Sequence, residues 1–191
     1  MLKNKLLKSE LLNSEALNSK AFKHTAFIAL GSNLQDPALQ VKKAFLALDN
    51  LPKTKLVKSS SLYLTAPVGY QSQPDFVNAV AEINTDLSPL ELLDAILNIE
   101  AQAGRERTFA NAPRVLDCDL LLYIGVVMNT QKLILPHPRM HERSFVLLPL
   151  AEIAPDLCIE KHGNVVKLLQ SVQNLETENL GIKNQGIKKL A

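Results

Sequence analysis

Short apolar runs that end at turn residues alternate with helical patterns along this chain, and this alternation limits its possible folds more than any other feature. Residues 26–30 are all apolar and are followed directly by Gly31, which is typical of a buried strand that ends in a turn. Three further segments have strand composition, and they comprise residues 55–65, 76–83 and 115–123.

Two of the connecting segments carry the start signals of helices. Asp36 precedes Pro37, which is the order of an N-cap residue and a proline at the first helical position. Ser88, Pro89 and Glu91 have the spacing of a capping box. The resulting order, βαββαβ, predicts an α/β (α+β) fold, a two-layer sandwich of the ferredoxin-like type with additional strands and helices.

The length of 191 residues gives room for one domain with an extension at each end. Residues 1–24 contain leucines near helical spacing among five lysines, and we interpret them as an N-terminal extension able to form a short amphipathic helix. We assign the folded domain to residues 25–170. Residues 171–191 are polar and contain Gly181 and Gly186, so we expect a weakly ordered C-terminal tail.

Composition excludes several classes of protein. The 21 lysines and arginines face 19 aspartates and glutamates, and a net charge of +2 is too balanced for a nucleic-acid coat protein or a polybasic membrane binder. No apolar run approaches the roughly 18 residues of a membrane helix. The 2 cysteines do not cluster with histidines, which argues against a disulfide scaffold and a zinc finger. We expect a cytoplasmic monomer without nucleic-acid or membrane partners.

The arginines are confined to one part of the chain. All five lie between positions 105 and 143, whereas the 16 lysines are spread from end to end. The planar guanidinium group can hold two phosphate oxygens at once, which lysine cannot do. The cluster therefore predicts a phosphate-binding region, with an ordinary ion pair as the alternative for any single member. Its members are Arg105, Arg107, Arg114, Arg139 and Arg143.

Asp117 and Asp119 flank Cys118 within the same part of the chain. On a strand, residues two apart point to one face and lie roughly 6.6 Å apart. Two such carboxylates can share hard cations, which in two-metal sites lie about 3.5–4 Å apart. Magnesium combines few carboxylates with phosphate oxygens and water. Cys118 is then expected to face the core on the opposite side.

His137 lies between Pro136 and Pro138, and the prolines stiffen the backbone around it. An imidazole near phosphates can donate a hydrogen bond, and a turn histidine without a function is the alternative. The chain contains no Walker A sequence, so we expect no P-loop. Taken together, the residues predict a magnesium-dependent site for a polyphosphate.

Six segments of the chain, in order, resemble the 6-hydroxymethyl-7,8-dihydropterin pyrophosphokinase family of folate biosynthesis. The segments are residues 29–34, 65–69, 73–79, 100 with 104–107, 113–119 and 136–150. Each is weak by itself, but the collinear series is specific. The resemblance implies a ferredoxin-like pyrophosphokinase domain that transfers a pyrophosphoryl group from ATP to the hydroxymethyl oxygen of a reduced pterin and releases AMP.

The resemblance also implies roles for individual residues. Asp117 and Asp119 would hold two Mg²⁺ ions that bridge the phosphates of the co-substrate ATP. The residues that would contact the triphosphate are Arg105, Arg114, His137 and Arg143, with Arg107 and Lys132 as flexible contributors. Those that would seat the nucleoside are Glu100 and Leu120. Those that would bind the pterin are Phe76 and Phe145 by stacking, with Asn78, Thr65, Val68 and Gly69 around its amide edge.

The chain departs from the family pattern in the loop after Arg107. Asn111 and Ala112 replace a frequent Trp-Gly pair, and the loop is one residue shorter. We expect altered pterin affinity or loop kinetics, not lost chemistry. Pro138 also stands where some members have an aromatic residue, which puts a nucleotide contact there in doubt.

Two other functions stay open on the residues alone. A two-metal nuclease or nucleotidyltransferase would use the same aspartates, and the identity of the products distinguishes it from a pyrophosphokinase. A ferredoxin-like RNA-binding module would carry exposed aromatic residues with basic neighbours on its sheet. The sequence that follows Phe76, Val77-Asn78-Ala79-Val80, does not have that character.

Overall fold

The computed structural model describes residues 22–105, 112–178 and 186–190. The strands are β1 (His24–Ser32), β2 (Thr54–Ser59), β3 (Tyr63–Thr65), β4 (Phe76–Thr85), β5 (Asp117–Tyr123), β6 (Met128–Asn129), β7 (Ile134–Leu135), β8 (Cys158–Ile159), β9 (Gly163–Asn164) and β10 (Lys188–Lys189). The helices are α1 (Pro37–Asp49), α2 (Pro89–Gln102), α3 (Ser144–Ile153) and α4 (Val165–Glu178), with a 3₁₀ turn at Met140–Glu142.

One antiparallel sheet organises the molecule. Its central strand β1 pairs with β4 on one side and with β5 on the other. The other side of β4 pairs with both β2 and β3, and β10 adds to the outer side of β3. This order, with the first strand between the third and the last of the βαββαβ core, is the ferredoxin-like arrangement. The predicted fold class is confirmed.

The segment predicted as one strand, residues 55–65, forms two strands with a break at Ser60. The backbone N–H of Ser60 donates to the carbonyl oxygen of Val80, and its hydroxyl oxygen accepts from the backbone N–H of Val80, each at 2.9 Å. A side chain therefore replaces a backbone group in the ladder. The interruption leaves β3 as a separate strand of 3 residues.

Both predicted helix starts are confirmed. The side chain of Asp36 caps α1 by accepting a hydrogen bond from the backbone N–H of Leu39 at 3.2 Å. At α2, the hydroxyl of Ser88 accepts from the backbone N–H of Glu91 at 3.4 Å, and the Glu91 carboxylate accepts from the backbone N–H of Ser88 at 2.7 Å. These bonds satisfy N–H groups that have no partner inside the helix.

The additional helices cover the second face of the sheet. Helices α1 and α2 bury one face, in a cluster that includes Ile28 and Ile96. Helices α3 and α4 bury the other face around Phe27, Val80 and Leu147. The alternation in residues 76–83 predicted two distinct faces, and the structure shows that both are buried over most of β4. Along β4, little surface is therefore left for functional groups except where the strand ends.

The C-terminal region differs from the weakly ordered tail expected from residue 171. Helix α4 continues to Glu178, and β10 pairs with β3. The helix is fixed by apolar residues that pack in the same cluster as α3, which are the buried Val165 and Leu169 and the partly buried Val172 within the expected tail. Residues 1–21 of the N-terminal extension lie outside the described residues. In the described ranges, no helix combines the length and apolar character needed to cross a bilayer.

The carboxylate of Glu152 connects helix α3 to the region of β3 and to β10. Its carboxylate accepts hydrogen bonds from the hydroxyl of Ser61 at 2.7 Å, the ammonium of Lys189 at 2.9 Å and the hydroxyl of Tyr63 at 3.1 Å. Burial opposes ionisation, but these donors outweigh it and lower the pKa of Glu152 from its ordinary value of 4.5 to about 2. The ionised carboxylate therefore stabilises the folded protein above pH 4.5.

We expect Glu152→Gln to lower the free energy of unfolding at pH 7 by about 1–2 kcal/mol, since several donors lose a charged acceptor at a partly screened position. Because the folded-state pKa is depressed, the difference should shrink as the pH falls from about 4.5 toward about 2. Urea denaturation across this range measures both effects. The exposed Glu160→Gln is the control, and equal stability of wild type and Glu152→Gln at pH 7 would contradict the assignment.

Candidate active site

Three neighbouring strands bring the first site residues into one row. Gly31 of β1 lies opposite Asn78 of β4 on one side and opposite Asp117 of β5 on the other. A Cβ atom at Gly31 would lie only 3.1 Å from Oδ1 of Asn78, so a larger residue would displace the amide. Two pairs further along, on the same face of the sheet, Ala29 lies opposite Asp119. The small residues Gly31 and Ala29 thus leave open space on this face of the sheet, between the amide of Asn78 on β4 and the two carboxylates on β5.

A cavity of about 300 Å³ lies above this row, between the sheet and the start of α3. It contains all six residues that the resemblance assigns to the pterin. They are Thr65, Val68, Gly69, Phe76, Asn78 and Phe145. We call it the first cavity.

Polar and aromatic groups inside the first cavity are held in place by hydrogen bonds and cation–π contacts. The Nδ2 atom of Asn78 donates to Oγ1 of Thr65 at 2.7 Å, and both residues are buried. The guanidinium of Arg114 lies 5.2 Å from the ring centre of Phe76, and that of Arg143 lies 5.7 Å from the ring centre of Phe145. These distances are within the range of cation–π attraction. The cavity therefore offers an amide, two aromatic rings and positive charge to a planar polar ligand.

A second cavity of about 380 Å³ lies between α2, β5 and the segment 130–138. It contains five residues that the resemblance assigns to ATP, which are Glu100, Arg105, Leu120, Lys132 and His137. Asp117 and Asp119 line both cavities. The two carboxylates therefore stand where ligands in the two cavities would meet.

Asp117 is the centre of an ion-pair cluster. One carboxylate oxygen lies 2.5 Å from Nη1 of Arg105, and the other lies 3.0 Å from Nη2 of Arg114. Arg105 also pairs with Glu100, which is only 3% exposed and accepts a hydrogen bond from the backbone N–H of Cys118 at 2.7 Å. Burial alone would lower the pKa of Arg105, but Asp117 and Glu100 outweigh it and raise that pKa. Arg105 is thus held charged beside Asp117, and Arg114 pairs with the other oxygen of the same carboxylate.

Asp119 has weaker ionic support. Its carboxylate lies 3.9 Å from Nη1 of Arg143. Burial and the neighbouring Asp117 raise the pKa of Asp119, although His137, Arg143 and Arg114 oppose the shift. Ionised Asp119 is therefore less stable in the folded protein than in water. A carboxylate in this situation gains from a cation that binds beside it.

His137 faces Asp119 from the second cavity. Its Nδ1 atom accepts a hydrogen bond from the backbone N–H of Arg139 at 3.2 Å, so the proton of the neutral ring is carried by Nε2. Burial lowers the pKa of His137, while Asp119 acts in the opposite direction. The rigid proline-flanked loop thus fixes which ring nitrogen can donate.

The residues at the junction fit a hard divalent cation. Asp117 and Asp119 lie on one face of β5, whereas Cys118 is 3% exposed and packs into the core on the other face. The core position predicted for Cys118 is confirmed. Within the described ranges, no group of three histidine, cysteine, aspartate or glutamate side chains converges as a metal cluster. Two carboxylates with oxygen donors from a ligand are a donor set that suits magnesium.

Some predicted residues are not placed in the site, and others were missed. Arg107 lies outside the described residues, as does Asn111. Lys132 lines the second cavity, and its ammonium is 2.8 Å from Asp94 on α2. Arg139 and Glu142 line the first cavity, with Nε of Arg139 3.8 Å from the Glu142 carboxylate. Arg139 was predicted only as a member of the phosphate-binding arginine cluster, and Glu142 was not predicted. The sequence contained a signal for both residues, because they follow His137 within the segment 136–150 that resembles the family.

The comparisons with known proteins agree with this arrangement. The family described as 7,8-dihydro-6-hydroxymethylpterin-pyrophosphokinase (HPPK) matches residues 27–155. The chain belongs to this family. It is 47% identical over 146 residues to the 2-amino-4-hydroxy-6-hydroxymethyldihydropteridine pyrophosphokinase of Haemophilus influenzae, which covers 76% of this chain and 91% of the relative. The Pseudomonas aeruginosa protein of the same name is 45% identical over 143 residues, or 75% of this chain and 88% of the relative.

Solved structures share the fold. Wild-type Plasmodium falciparum HPPK-DHPS, crystallised with pterin and p-hydroxybenzoate, superposes with a TM-score of 0.68 at 17% sequence identity. The match covers 92% of this chain and 48% of that chain, so this chain spans about half of the solved protein. The resemblance drawn from the sequence is confirmed. Membership of the HPPK family fits a pyrophosphokinase and not the nuclease or RNA-binding alternatives.

Proposed function

We propose that this HPPK-family protein transfers pyrophosphate from ATP to 6-hydroxymethyl-7,8-dihydropterin, giving AMP and the pterin diphosphate of folate biosynthesis. The observation that carries this proposal is the meeting of two cavities at Asp117 and Asp119. One cavity suits a flat, polar heterocycle, and the other is lined by basic side chains, while Arg114 and Arg143 line the first cavity and lie beside the shared carboxylates. A transfer reaction requires such a junction, because both substrates must present their reacting atoms at one point.

The pterin occupies the first cavity in this proposal. Phe76 and Phe145 stack on its ring from two sides, as aromatic surfaces of this size allow. The buried amide of Asn78 and the segment from Thr65 to Gly69 recognise its amide edge. The support for these roles is that Asn78 and Thr65 are already hydrogen-bonded to each other and line the same space.

ATP occupies the second cavity, with its triphosphate directed toward the junction. Glu100 and Leu120 seat the nucleoside, and Lys132 and Arg107 contribute flexible positive charge. Arg105, Arg114, His137 and Arg143 contact the triphosphate. Two of these arginines are oriented by Asp117, which supports a preorganised cradle in which guanidinium groups bind phosphate oxygens without further ordering.

Asp117 and Asp119 hold two Mg²⁺ ions in this proposal. When bound, the ions supply charge neutralisation for the phosphates and reduce repulsion against an incoming oxygen. The raised pKa of Asp119 supports this role. The neighbouring positive charges do not fully offset burial and the charge of Asp117, so a bound cation would stabilise the ionised carboxylate.

The reaction needs no protein nucleophile. The hydroxymethyl oxygen of the pterin forms a bond to the β-phosphorus, and the bond from that phosphorus to the bridging oxygen of the α-phosphate breaks. AMP leaves with the bridging oxygen, and the hydroxyl proton is released. The protein contributes alignment by the two cavities and stabilisation of charge by the arginines, which are the main terms in phosphoryl transfer.

We further propose that the protein acts as a cytoplasmic monomer. Sedimentation of the purified protein with both substrates tests this state.

The identity of the nucleotide product tests the function. Incubation of the purified protein with ATP, magnesium and 6-hydroxymethyl-7,8-dihydropterin should release AMP and a pterin diphosphate in equal amounts. Chromatography of the nucleotides and mass spectrometry of the pterin measure both products. A reaction that yields ADP, or AMP in the absence of the pterin, would refute the proposal.

The Asp119→Asn variant tests the metal assignment. We expect turnover to fall by about 10³-fold or more, because one charged oxygen ligand is lost at the point of transfer. The fold should survive, and the thermal midpoint without divalent cations should not fall, since the substitution removes a carboxylate that burial and Asp117 destabilise. Asp156→Asn, at an exposed position, is the control. Near-normal turnover in Asp119→Asn would exclude the proposed site.

The Phe145→Ala variant tests the stacking assignment. Loss of one ring should raise the KM for the pterin by about tenfold, in line with roughly 1–1.5 kcal/mol for an aromatic pair. The KM for ATP should change by less than about twofold, because Phe145 lines only the first cavity. Steady-state kinetics with each substrate varied in turn measures the two constants. Equal losses for both substrates would contradict the assignment.

A further inference from the structure

The last described residues of the chain pair with a strand at the wall of the first cavity. Strand β10 runs antiparallel to β3, with Lys189 opposite Tyr63. Immediately after β10, the backbone N–H of Leu190 donates to the carbonyl oxygen of Leu62 at 2.8 Å. These residues lie well beyond the family match, which ends at residue 155.

Strand β3 is poorly supported without this contact. It has 3 residues and follows the break at Ser60. Its inner side pairs with β4, where Thr65 lies opposite Phe76 and Tyr63 lies opposite Asn78. Its outer side would otherwise be the exposed edge of a very short strand, which is a marginal structure. With β4 on its inner side and β10 on its outer side, β3 has a hydrogen-bonded neighbour on both sides.

Side chains strengthen the same connection through Glu152. Its carboxylate accepts from Lys189 of the C-terminal segment at 2.9 Å and from Tyr63 of β3 at 3.1 Å. Glu152 belongs to α3, the helix that carries Phe145 near its start. One carboxylate therefore connects the C-terminal segment to the two elements, β3 and α3, that carry opposite walls of the first cavity.

We propose that residues 186–190, here called the C-terminal clamp, position β3 for pterin recognition. This inference rests on the function proposed above. Thr65 is the last residue of β3, and its hydroxyl accepts the hydrogen bond from Asn78 at 2.7 Å. A small displacement of β3 would break that bond and release the Asn78 amide from its orientation. The clamp acts through β3 and does not itself touch the substrate.

The effect of the clamp is expected to be selective. The second cavity lies on the other side of Asp117 and Asp119 and is lined by residues of α2, β5 and the segment 130–138. Loss of the clamp should therefore weaken use of the pterin and leave use of ATP nearly unchanged. A general loss of stability would instead affect both substrates.

Deletion of residues 186–191 from the full chain provides the main test. We expect the KM for 6-hydroxymethyl-7,8-dihydropterin to rise about tenfold, while the KM for ATP and kcat change by less than about twofold. Leu190→Pro should reproduce part of the effect because it removes the N–H that donates to Leu62. Leu190→Ala is its matched control for the lost side chain.

Point variants on β10 separate the ion pair from the strand pairing. Lys189→Met removes the ammonium that contacts Glu152, and we expect the pterin KM to rise about threefold. Lys188→Met, on the neighbouring residue of the same strand, should leave all constants unchanged. A pterin KM that stays at the wild-type value in both the deletion and Leu190→Pro would overturn the inference, as would an equal rise of both KM values.

Hydrogen exchange provides a readout that does not depend on turnover. In the deletion variant, the backbone amides of residues 61–66 should exchange about tenfold faster, whereas those of β5 should keep their protection. Unchanged exchange over residues 61–66 would refute the clamp even if the protein had a different activity. Absence of AMP release from the wild-type protein, by contrast, would refute the proposed function and leave the exchange result to decide on the clamp.

Discussion

The register of β1 between β4 and β5 is the constraint on which the site depends. It places Gly31 between Asn78 and Asp117 and brings Ala29 opposite Asp119. The glycine leaves space that a Cβ atom would fill at 3.1 Å from the Asn78 amide. A shift of the β1–β5 pairing by one residue would turn the carboxylates to the opposite face of the sheet, and a shift of the β1–β4 pairing would do the same to Asn78, because side chains alternate between the faces of a sheet.

The two carboxylates placed by this register are neutralised by nearby positive charges to different extents, and this difference is chemically useful. Asp117 is held between Arg105 and Arg114, while the guanidinium group paired with Asp119 in the described part of the chain lies 3.9 Å away. Burial and Asp117 raise the pKa of Asp119. Functional sites often keep groups in states that destabilise the free protein and are relieved when a ligand binds. In the function proposed for this protein, a divalent cation bound beside Asp119 would provide this relief.

The outer layer of the molecule supports the site from a distance. Helices α3 and α4 bury the second face of the sheet, and α3 carries Phe145 toward the first cavity. Glu152 connects this helix to β3 and to the C-terminal segment. Such cross-connections matter for a site built at the end of a sheet, because a displacement of one wall changes the shape of the whole cavity.

Several features of the protein were determined by the sequence alone. The βαββαβ order follows from apolar runs, turn residues and helix caps, and those signals are local. The confinement of arginine to positions 105–143 and the pair Asp117 and Asp119 marked the part of the chain that forms the junction. The series of resembling segments identified the family, since a collinear set of short motifs is not produced by composition.

Other features were decided only by the tertiary structure. The break at Ser60 depends on a hydrogen bond to Val80, 20 residues away along the chain. The burial of both faces of β4 depends on α3 and α4, whose positions the alternation in β4 does not encode. The polar C-terminal residues form strand β10 because the outer edge of β3 is free to pair with them and because the Glu152 carboxylate accepts a hydrogen bond from Lys189. Local patterns specify elements, whereas contacts between distant residues depend on the packing of the whole chain.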